Sequence, residues 1–145
     1  MDSYARFGYS LTPNMMDVLK RKDFAQWQAR KGIPDAFLCK AVSELNGGLV
    51  HANLGGSLYK HRIALPGRGK RGGCRTLLSA KIGNRYVFLY GFLKGDRANI
   101  TREEAKALQY AGRVFLELSA DARLRALESG VLLEVHCEQN HRGIT

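Results

Sequence analysis

The sequence predicts an α+β fold, in which an N-terminal helical hairpin packs on a mainly antiparallel twisted sheet and further helices follow at the C-terminus. Three observations support this prediction. Two short segments with helical spacing precede residue 48, three segments of strand type lie between residues 58 and 93, and a helix with a strong start signal begins near residue 101. The length of 145 residues is that of one ordinary domain.

The first elements are a short strand and the two helices of the hairpin. Residues 15–20 predict the strand, and Lys22–Lys31 predicts a helix that Gly32 ends. Asp35 opens the second helix, whose apolar residues repeat at helical spacing until Gly47. Because the turn between the helices is tight, they form a hairpin, and a glycine-containing loop leads from it to the sheet.

Three strands follow, separated by turn signals. Leu58–Leu65 alternates between two faces, and Arg85–Leu93 is apolar on both faces, as expected for a central strand. Between them, Cys74–Ile82 forms a hairpin with Arg85–Leu93 through a two-residue turn that contains glycine. The connection PGRGKRGG at residues 66–73 is too rich in glycine for a regular element and predicts a loop.

Two helices and a short strand complete the predicted order. Thr101 and Glu104 have the spacing of a capping box, and the helix that they start is predicted to end near residue 118. Ser119 caps a further helix over Ala120–Glu128, and Val131–Val135 predicts a last strand. We therefore expect one domain over residues 14–136, a disordered extension at residues 1–13 and a polar tail at residues 137–145.

The composition excludes several classes of protein. No apolar run approaches the ~20 residues that a membrane-spanning helix needs, and the first residues lack the apolar stretch of a secretory signal. The three cysteines include no C-x-x-C pair, which argues against a disulfide framework and for a reducing cytoplasm. No group of His, Cys, Asp or Glu has the spacing of metal ligands, so we expect no metal and no other cofactor.

Charge is concentrated in one part of the chain. Residues 60–97 hold ten Lys or Arg and one acid, so this window has a net charge of +9, against +10 for the whole chain. The aromatic residues Tyr59, Tyr86, Tyr90 and Phe92 lie in or beside it. A basic sheet that carries aromatic side chains suits an anionic polymer, with RNA or DNA as the first candidate, although charge that guards an edge strand is the simpler alternative.

Individual cations have positions that suit a phosphate backbone. Lys60 and Arg62 project from the same face of their strand, roughly 6.6–7 Å apart, and Arg75 on the next strand can join them. Lys94 and Arg97 lie between the last of the three strands and a helix N-terminus, where anions are favoured. The loop cations are Arg68, Lys70 and Arg71. Their loop lacks the spacing of a nucleotide P-loop and leads into a strand.

Particular phrases of the sequence resemble the RelE/ParE superfamily of toxins. Residues 48–101 read GLVHANLGGSLYKHRIALPGRGKRGGCRTLLSAKIGNRYVFLYGFLKGDRANIT. They are similar to a stretch of the RelE/HigB-like branch that reads approximately GL-DA-LGG-L-KKR-A-PG-GK-GGYRT…FLYGFAK--R-NI. The resemblance covers about residues 20–135. Two positions depart from the pattern, because Cys74 stands at the usual tyrosine and His61 at a lysine.

The resemblance implies a cytoplasmic toxin of a bacterial toxin–antitoxin pair. RelE-type members enter the ribosomal A site and cut mRNA without a metal, which inhibits translation and arrests growth. The antitoxin is expected to be a separate small protein, often a helix-turn-helix protein in this branch. By motif position, Lys60 and Arg62 match the basic pair of the second strand, Arg75 matches the arginine of the next strand, and Arg97 matches the arginine after the last core strand.

These matches lead to a hypothesis about roles. Arg75 and Arg97 would stabilise the charge on the phosphorane, since guanidinium forks match phosphate oxygens. Lys60 is the candidate base for the 2′-OH, with His61 as the alternative, and Arg68, Lys70, Arg71 and Lys94 would hold the RNA. Two other functions stay open: a ParE-like inhibitor of DNA gyrase, which has the same fold, and a non-catalytic module that binds RNA or its antitoxin.

Overall fold

The computed structural model describes residues 16–65, 67 and 69–137, with the backbone alone for residues 69–72. Within these ranges the helices and strands are β1 (Asp17–Arg21), α1 (Lys22–Lys31), α2 (Asp35–Asn46), β2 (Ala52–Gly55), β3 (Leu58–Leu65), β4 (Gly69–Lys81), β5 (Arg85–Leu93), α3 (Arg102–Leu116), α4 (Ala120–Ser129) and β6 (Leu132–Glu134). This order confirms the predicted α+β class and every predicted helix. The expected extension at residues 1–13 lies outside the described residues.

The strands form one sheet in the order β2-β3-β4-β5-β1-β6. Only β1 and β5 run parallel, and the other four neighbouring pairs are antiparallel. Because β1 covers one edge of β5 and β4 covers the other, β5 lies inside the sheet. Tyr86, Val87, Phe88 and Leu89 are consequently inaccessible to solvent, which confirms the expectation of a central strand.

Helices cover both faces of this sheet. On one face α1 and α2 build a core with the sheet that includes Phe24, Leu38 and Phe88. On the other face α3 builds a second core, in which Leu108 packs with strand residues such as Leu77. The sheet lies between these two cores and is buried on both sides, so it fixes the positions of the loops at its ends.

Two segments that the sequence predicts as loops are strands. Ala52–Gly55 is an edge strand that pairs with β3, and β4 begins at Gly69, five residues earlier than the predicted start at Cys74. Both corrections have the same physical reason. Pairing with β3 keeps these two segments extended, although their own residues have low strand propensity. The register of β3 and β4 shifts between Ile63 and Leu65, so the glycine-rich segment is accommodated as an irregular part of the ladder.

Both ends of α3 are stabilised by side chains. Thr101 accepts from the backbone N–H of Glu104, and the Glu104 carboxylate accepts from the backbone N–H of Thr101, which confirms the predicted capping box. At the other end the Arg85 guanidinium donates to the carbonyl oxygens of residues 115, 116 and 118. Arg85 also donates to Asp17 at 2.9 Å, so this member of the basic window has a structural role.

The sequence argues against a disulfide framework, but the structure contains one disulfide in its described part. Cys39 on α2 and Cys137 after β6 form a disulfide that closes a separation of 98 residues. The polar tail therefore begins with a residue that is covalently held, while residues 138–145 lie outside the described part. Cys74 is a buried free thiol, and burial raises its pKa to about 11. No helix in the described ranges is long and apolar enough to cross a membrane.

Replacement of Gly112 by alanine is expected to destabilise the protein, although alanine favours a helix interior by about 1 kcal/mol. A Cβ at Gly112 would overlap Ser79 Oγ and lie 2.6 Å from Ser79 Cβ, because α3 packs directly on β4 there. Overpacking of this kind costs about 1–3 kcal/mol. Urea unfolding should show the loss, with Gly95→Ala as a neutral control, since a Cβ at Gly95 meets nothing within 4 Å. A stabilised Gly112→Ala protein would contradict this packing.

Candidate functional site

Strand register brings three of the predicted site residues together. Arg62 on β3 pairs directly with Arg75 on β4, and Lys60 pairs with Leu77 one step further along. Residues that are directly opposite in neighbouring strands point to the same face, so all three cations lie on the face that α3 packs against. Arg62 is exposed and Lys60 is partly exposed. We call Lys60, Arg62, Arg75 and Arg97, with Tyr90 and Phe92, the cationic face.

A β-bulge adds two aromatic rings to the cationic face. Leu77 pairs with Tyr90 but its neighbour Leu78 pairs with Phe88, so Leu89 is an extra residue in β5. Strict alternation would place Phe88 and Tyr90 on one face. The bulge instead directs Tyr90 and Phe92 to the cationic face, while Tyr86 and Tyr59 pack in the core under α1 and α2. The four aromatic residues of the basic window are therefore divided between the two faces.

Arg75 is the most unusual charge in the described structure. The residue is only 7% exposed, and its Nη1 atom is buried without a hydrogen-bond partner among the described groups. Burial, and to a smaller extent the neighbouring Arg62, lowers the pKa of its guanidinium. Like charges opposite each other in a sheet are unfavourable, and a buried donor atom without a hydrogen-bond partner adds a further cost. An anion bound between Arg62 and Arg75 would relieve both costs.

Arg97 completes the cationic face from the loop between β5 and α3. Its guanidinium lies 5.8 Å from the Phe92 ring centre and donates to the Tyr90 hydroxyl at 3.2 Å. It also forms a bidentate ion pair with Glu104, at 2.6 and 3.0 Å. These hydrogen bonds to Glu104, and then to Tyr90, raise the pKa of Arg97. Because both terminal nitrogens are already engaged, Arg97 is less available to a phosphate than Arg75.

The loop before α3 also contacts β3. The Lys60 ammonium donates to Asn99 Oδ1 at 3.3 Å, and Arg97 donates to the Asn99 carbonyl oxygen at 2.9 Å. Asn99 thus links the cation on β3 to the cation of the loop. Lys94, in the turn that follows β5, is exposed. The first turn of α3 lies at the same surface because Glu104 contacts Arg97.

The structure does not bring His61 to the cationic face. His61 points to the opposite side of β3, is fully buried, and its Nε2 lies 2.9 Å from Glu44 Oε1 on α2. Its ring also stacks on His51, with 4.3 Å between the centroids. Alternation along the strand separates His61 from Lys60, so this position gives no support to His61 as the alternative base.

The predicted loop cations are only partly covered by the structure. Arg68 lies outside the described residues, and the side chains of Lys70 and Arg71 lie outside them as well. The backbone of Lys70 and Arg71 belongs to β4, so these residues are part of a strand and not of the predicted loop. Their role in binding RNA stays a prediction.

Glu104 is expected to limit the affinity of the cationic face for RNA. Hydrogen bonds from Arg97, and then from the Thr101 backbone, lower the pKa of the Glu104 carboxyl to about 2. The pair is thus fully formed above the ordinary carboxyl pKa of 4.5 and is lost only as the pH falls toward 2. At neutral pH it holds an acid beside the cations.

Replacement of Glu104 by glutamine should therefore tighten RNA binding and make its salt dependence steeper. Freeing one cation for a single-stranded phosphate should change the slope of log K against log salt by about 0.7. Glu103→Gln removes the same charge from the same helical turn and is the matched control. Equal effects of the two variants would show that only net charge matters.

Sequence reasoning missed four members of the site. Tyr90 and Phe92 were noted as aromatic residues of the window, but the bulge that directs them to the cations has no sequence signal here. Glu104 is predicted only as a helix cap and Asn99 is not among the predicted site residues, although Asn99 contacts Lys60 and Glu104 contacts Arg97. The capping position of Glu104 could have indicated its closeness to Arg97, because a helix N-terminus that follows a short loop places its first turn beside that loop.

The comparison with known families agrees with this geometry. The family model described as the RelE toxin of the RelE / RelB toxin–antitoxin system matches residues 16–135. The match includes every described residue of the cationic face and every element of the sheet. A comparison with curated proteins finds no match. Because the family model covers well over half of its length, the chain belongs to the RelE toxin family of toxin–antitoxin systems, a family that implies an antitoxin partner.

Proposed function

We propose that this toxin is a ribosome-dependent mRNA endoribonuclease that inhibits translation. The observation that carries the proposal is Arg75, a nearly buried guanidinium with an unpartnered Nη1 among the described residues, set directly opposite Arg62. A protein maintains such an arrangement at a cost in stability, and perturbed charges of this kind cluster at functional sites. A phosphodiester is the ligand whose charge and planar oxygen pairs fit two adjacent guanidinium groups.

The chemistry needs few groups because RNA carries its own nucleophile. The 2′-oxygen attacks the adjacent phosphorus and loses its proton, the bond between phosphorus and the 5′-oxygen breaks, and the 5′-oxygen takes a proton. The products are a 2′,3′-cyclic phosphate and a 5′-hydroxyl. We assign the stabilisation of the phosphorane to Arg75, which has a free donor, and the binding of the adjacent phosphate to Arg62.

Lys60 and Arg97 have distinct proposed roles. Lys60, in its neutral amine form, is the proposed acceptor of the 2′-OH proton, since its side chain lies on the cationic face and its Nζ is held only by Asn99 at 3.3 Å among the described groups. Arg97 is held by Glu104, so it contributes charge to the phosphorane only if the ion pair opens or if its N–H groups donate to Glu104 and the phosphate together. Tyr90 is partly exposed and provides a ring against which a base can stack, whereas Phe92 is only 4% exposed and packs beside Arg97.

The proposal is tested by inducing the chain in a bacterial host, with and without its antitoxin gene, and mapping the 5′ ends of mRNA. We expect cuts inside translated regions, at a constant position relative to the codons. The antitoxin should suppress these cuts. Growth arrest with DNA damage and no cuts would instead indicate a gyrase inhibitor. Absence of arrest would favour a module that binds RNA or antitoxin without catalysis.

A further inference from the structure

A groove continues from the cationic face around the end of β5. It has a volume of about 390 Å³, within the range of small-ligand pockets, and lies between α1 and the last residues of β5. Tyr90, Phe92 and Arg97 line it from the cationic face, while Trp27, Arg30 and Lys31 line it from α1. The same groove thus contacts both sides of the sheet.

The groove exists because β1 is shorter than β5. The parallel pairing ends at Lys20 and Phe88, and the Arg21 guanidinium donates to the Leu89 carbonyl oxygen at 3.1 Å. Beyond Leu89 no other strand of the described residues pairs with β5 on this side. The edge of the sheet is therefore open beside the site, where α1 forms the facing wall.

Trp27 is fixed in this wall by a close approach to Gly91. A Cβ at Gly91 would collide with the six-membered ring of Trp27, and Phe24 holds the same ring from the helix side with 5.4 Å between centroids. The indole is only partly buried. A rigid, partly exposed aromatic ring at the end of a cationic face is suited to stack on an unpaired base.

The charges of the groove favour a nucleic acid over a protein segment. Arg30 and Lys31 are exposed in the last turn of α1 and form no ion pair with the described residues. Of the two acids in the lining, Asp23 is neutralised by Arg21 at 2.8 Å. Arg30 and Lys31 line the same groove as Arg97, so an RNA backbone that crosses the cationic face can reach them within this groove.

We propose that this groove binds an unstacked base of the same single-stranded RNA, with Trp27 as the stacking ring and with Arg30 and Lys31 on the adjoining phosphates. The inference rests on the proposed function, since it takes the RNA of the cationic face as the ligand. It adds a base-binding site on α1, away from the reacting phosphate, and this site would contribute to the choice of sequence that is cut.

Trp27 is the one tryptophan of the chain, so its emission reports directly on the groove. The probe is a single-stranded 2′-O-methyl RNA oligonucleotide, which cannot be cut, together with an oligonucleotide of the same backbone without bases. The RNA should quench Trp27 emission with saturation, and the abasic probe should leave the emission unchanged and bind more weakly by at least about 5- to 150-fold, which is the loss expected for a single stacked base.

Variants separate the groove from the cationic face. Arg30→Gln with Lys31→Gln should reduce the slope of log K against log salt by about 1.4, whereas Lys81→Gln with Arg125→Gln, which removes two exposed cations elsewhere, should not. If RNA binding depends on Lys60 and Arg62 but the α1 variant binds normally and Trp27 emission is unchanged, the groove proposal is wrong and the proposed function stands. No RNA binding at all would overturn both, and quenching by a purified antitoxin but not by RNA would assign the groove to protein.

Discussion

Replacement of Arg75 by methionine is expected to lower the rate of mRNA cutting by about 100- to 1,000-fold, which is the usual cost of removing one donor that stabilises a developing anion. The same change should raise the free energy of unfolding by on the order of 1 kcal/mol, because it removes a buried charge that is kept for function at a cost in stability. Arg75 is 7% exposed and lies opposite Arg62, and its Nη1 has no partner among the described groups, so a linear apolar side chain fits its environment better than the guanidinium. Activity and stability should therefore move in opposite directions.

Two further variants test this interpretation. Arg75→Lys keeps the charge but loses the planar fork, and we expect activity between those of the wild type and the methionine variant. Lys81→Met lies six residues further along β4, roughly 20 Å away at 3.3 Å per residue, and is exposed, so it should change neither property. Cleavage is measured as 5′ ends in a translating extract and stability by urea unfolding. An Arg75→Met protein that is less stable and fully active would make Arg75 a structural residue.

The sequence predicts the order of elements well because each signal is local. The capping box at Thr101 acts within four residues, and the helical spacing of α2 buries its own face. The cations of β3 follow equally from local alternation. Lys60 and Arg62 share a face because they are two residues apart, and His61 points away for the same reason.

What the sequence does not predict depends on pairing between distant segments. The bulge at Leu89 is a property of the β4–β5 register, and it decides which face receives Tyr90 and Phe92. The number of cations that are available to a ligand also depends on contacts outside the basic window, since Arg85 donates to the C-terminus of α3 and Arg97 pairs with Glu104. A net charge of a window therefore overestimates the charge that a ligand can meet.

The cysteines illustrate the same limit. An odd count without a C-x-x-C pair gives no indication of a bond between residues 98 positions apart. Contact between Cys39 and Cys137 requires that α2 lie on the sheet face next to the segment after β6, which follows from the sheet order. The disulfide also bears on the expected reducing cytoplasm, because the bond forms only where the compartment permits it.

Replacement of Cys39 by serine should lower the free energy of unfolding of the oxidised protein by about 2–4 kcal/mol. The bond joins α2 to the chain that follows β6, so it closes a loop with a separation of 98 residues in the unfolded chain, and long loops gain most in the chain-entropy description. Urea unfolding with and without reductant is the measurement. Wild type should lose this increment when reduced, whereas Cys39→Ser should be unaffected. Cys74→Ala, which removes the buried free thiol, should destabilise equally in both conditions. A wild-type protein that is equally stable with and without reductant would show that the bond does not contribute, and that non-covalent contacts such as those of Val135 and β6 are sufficient to hold the C-terminal segment.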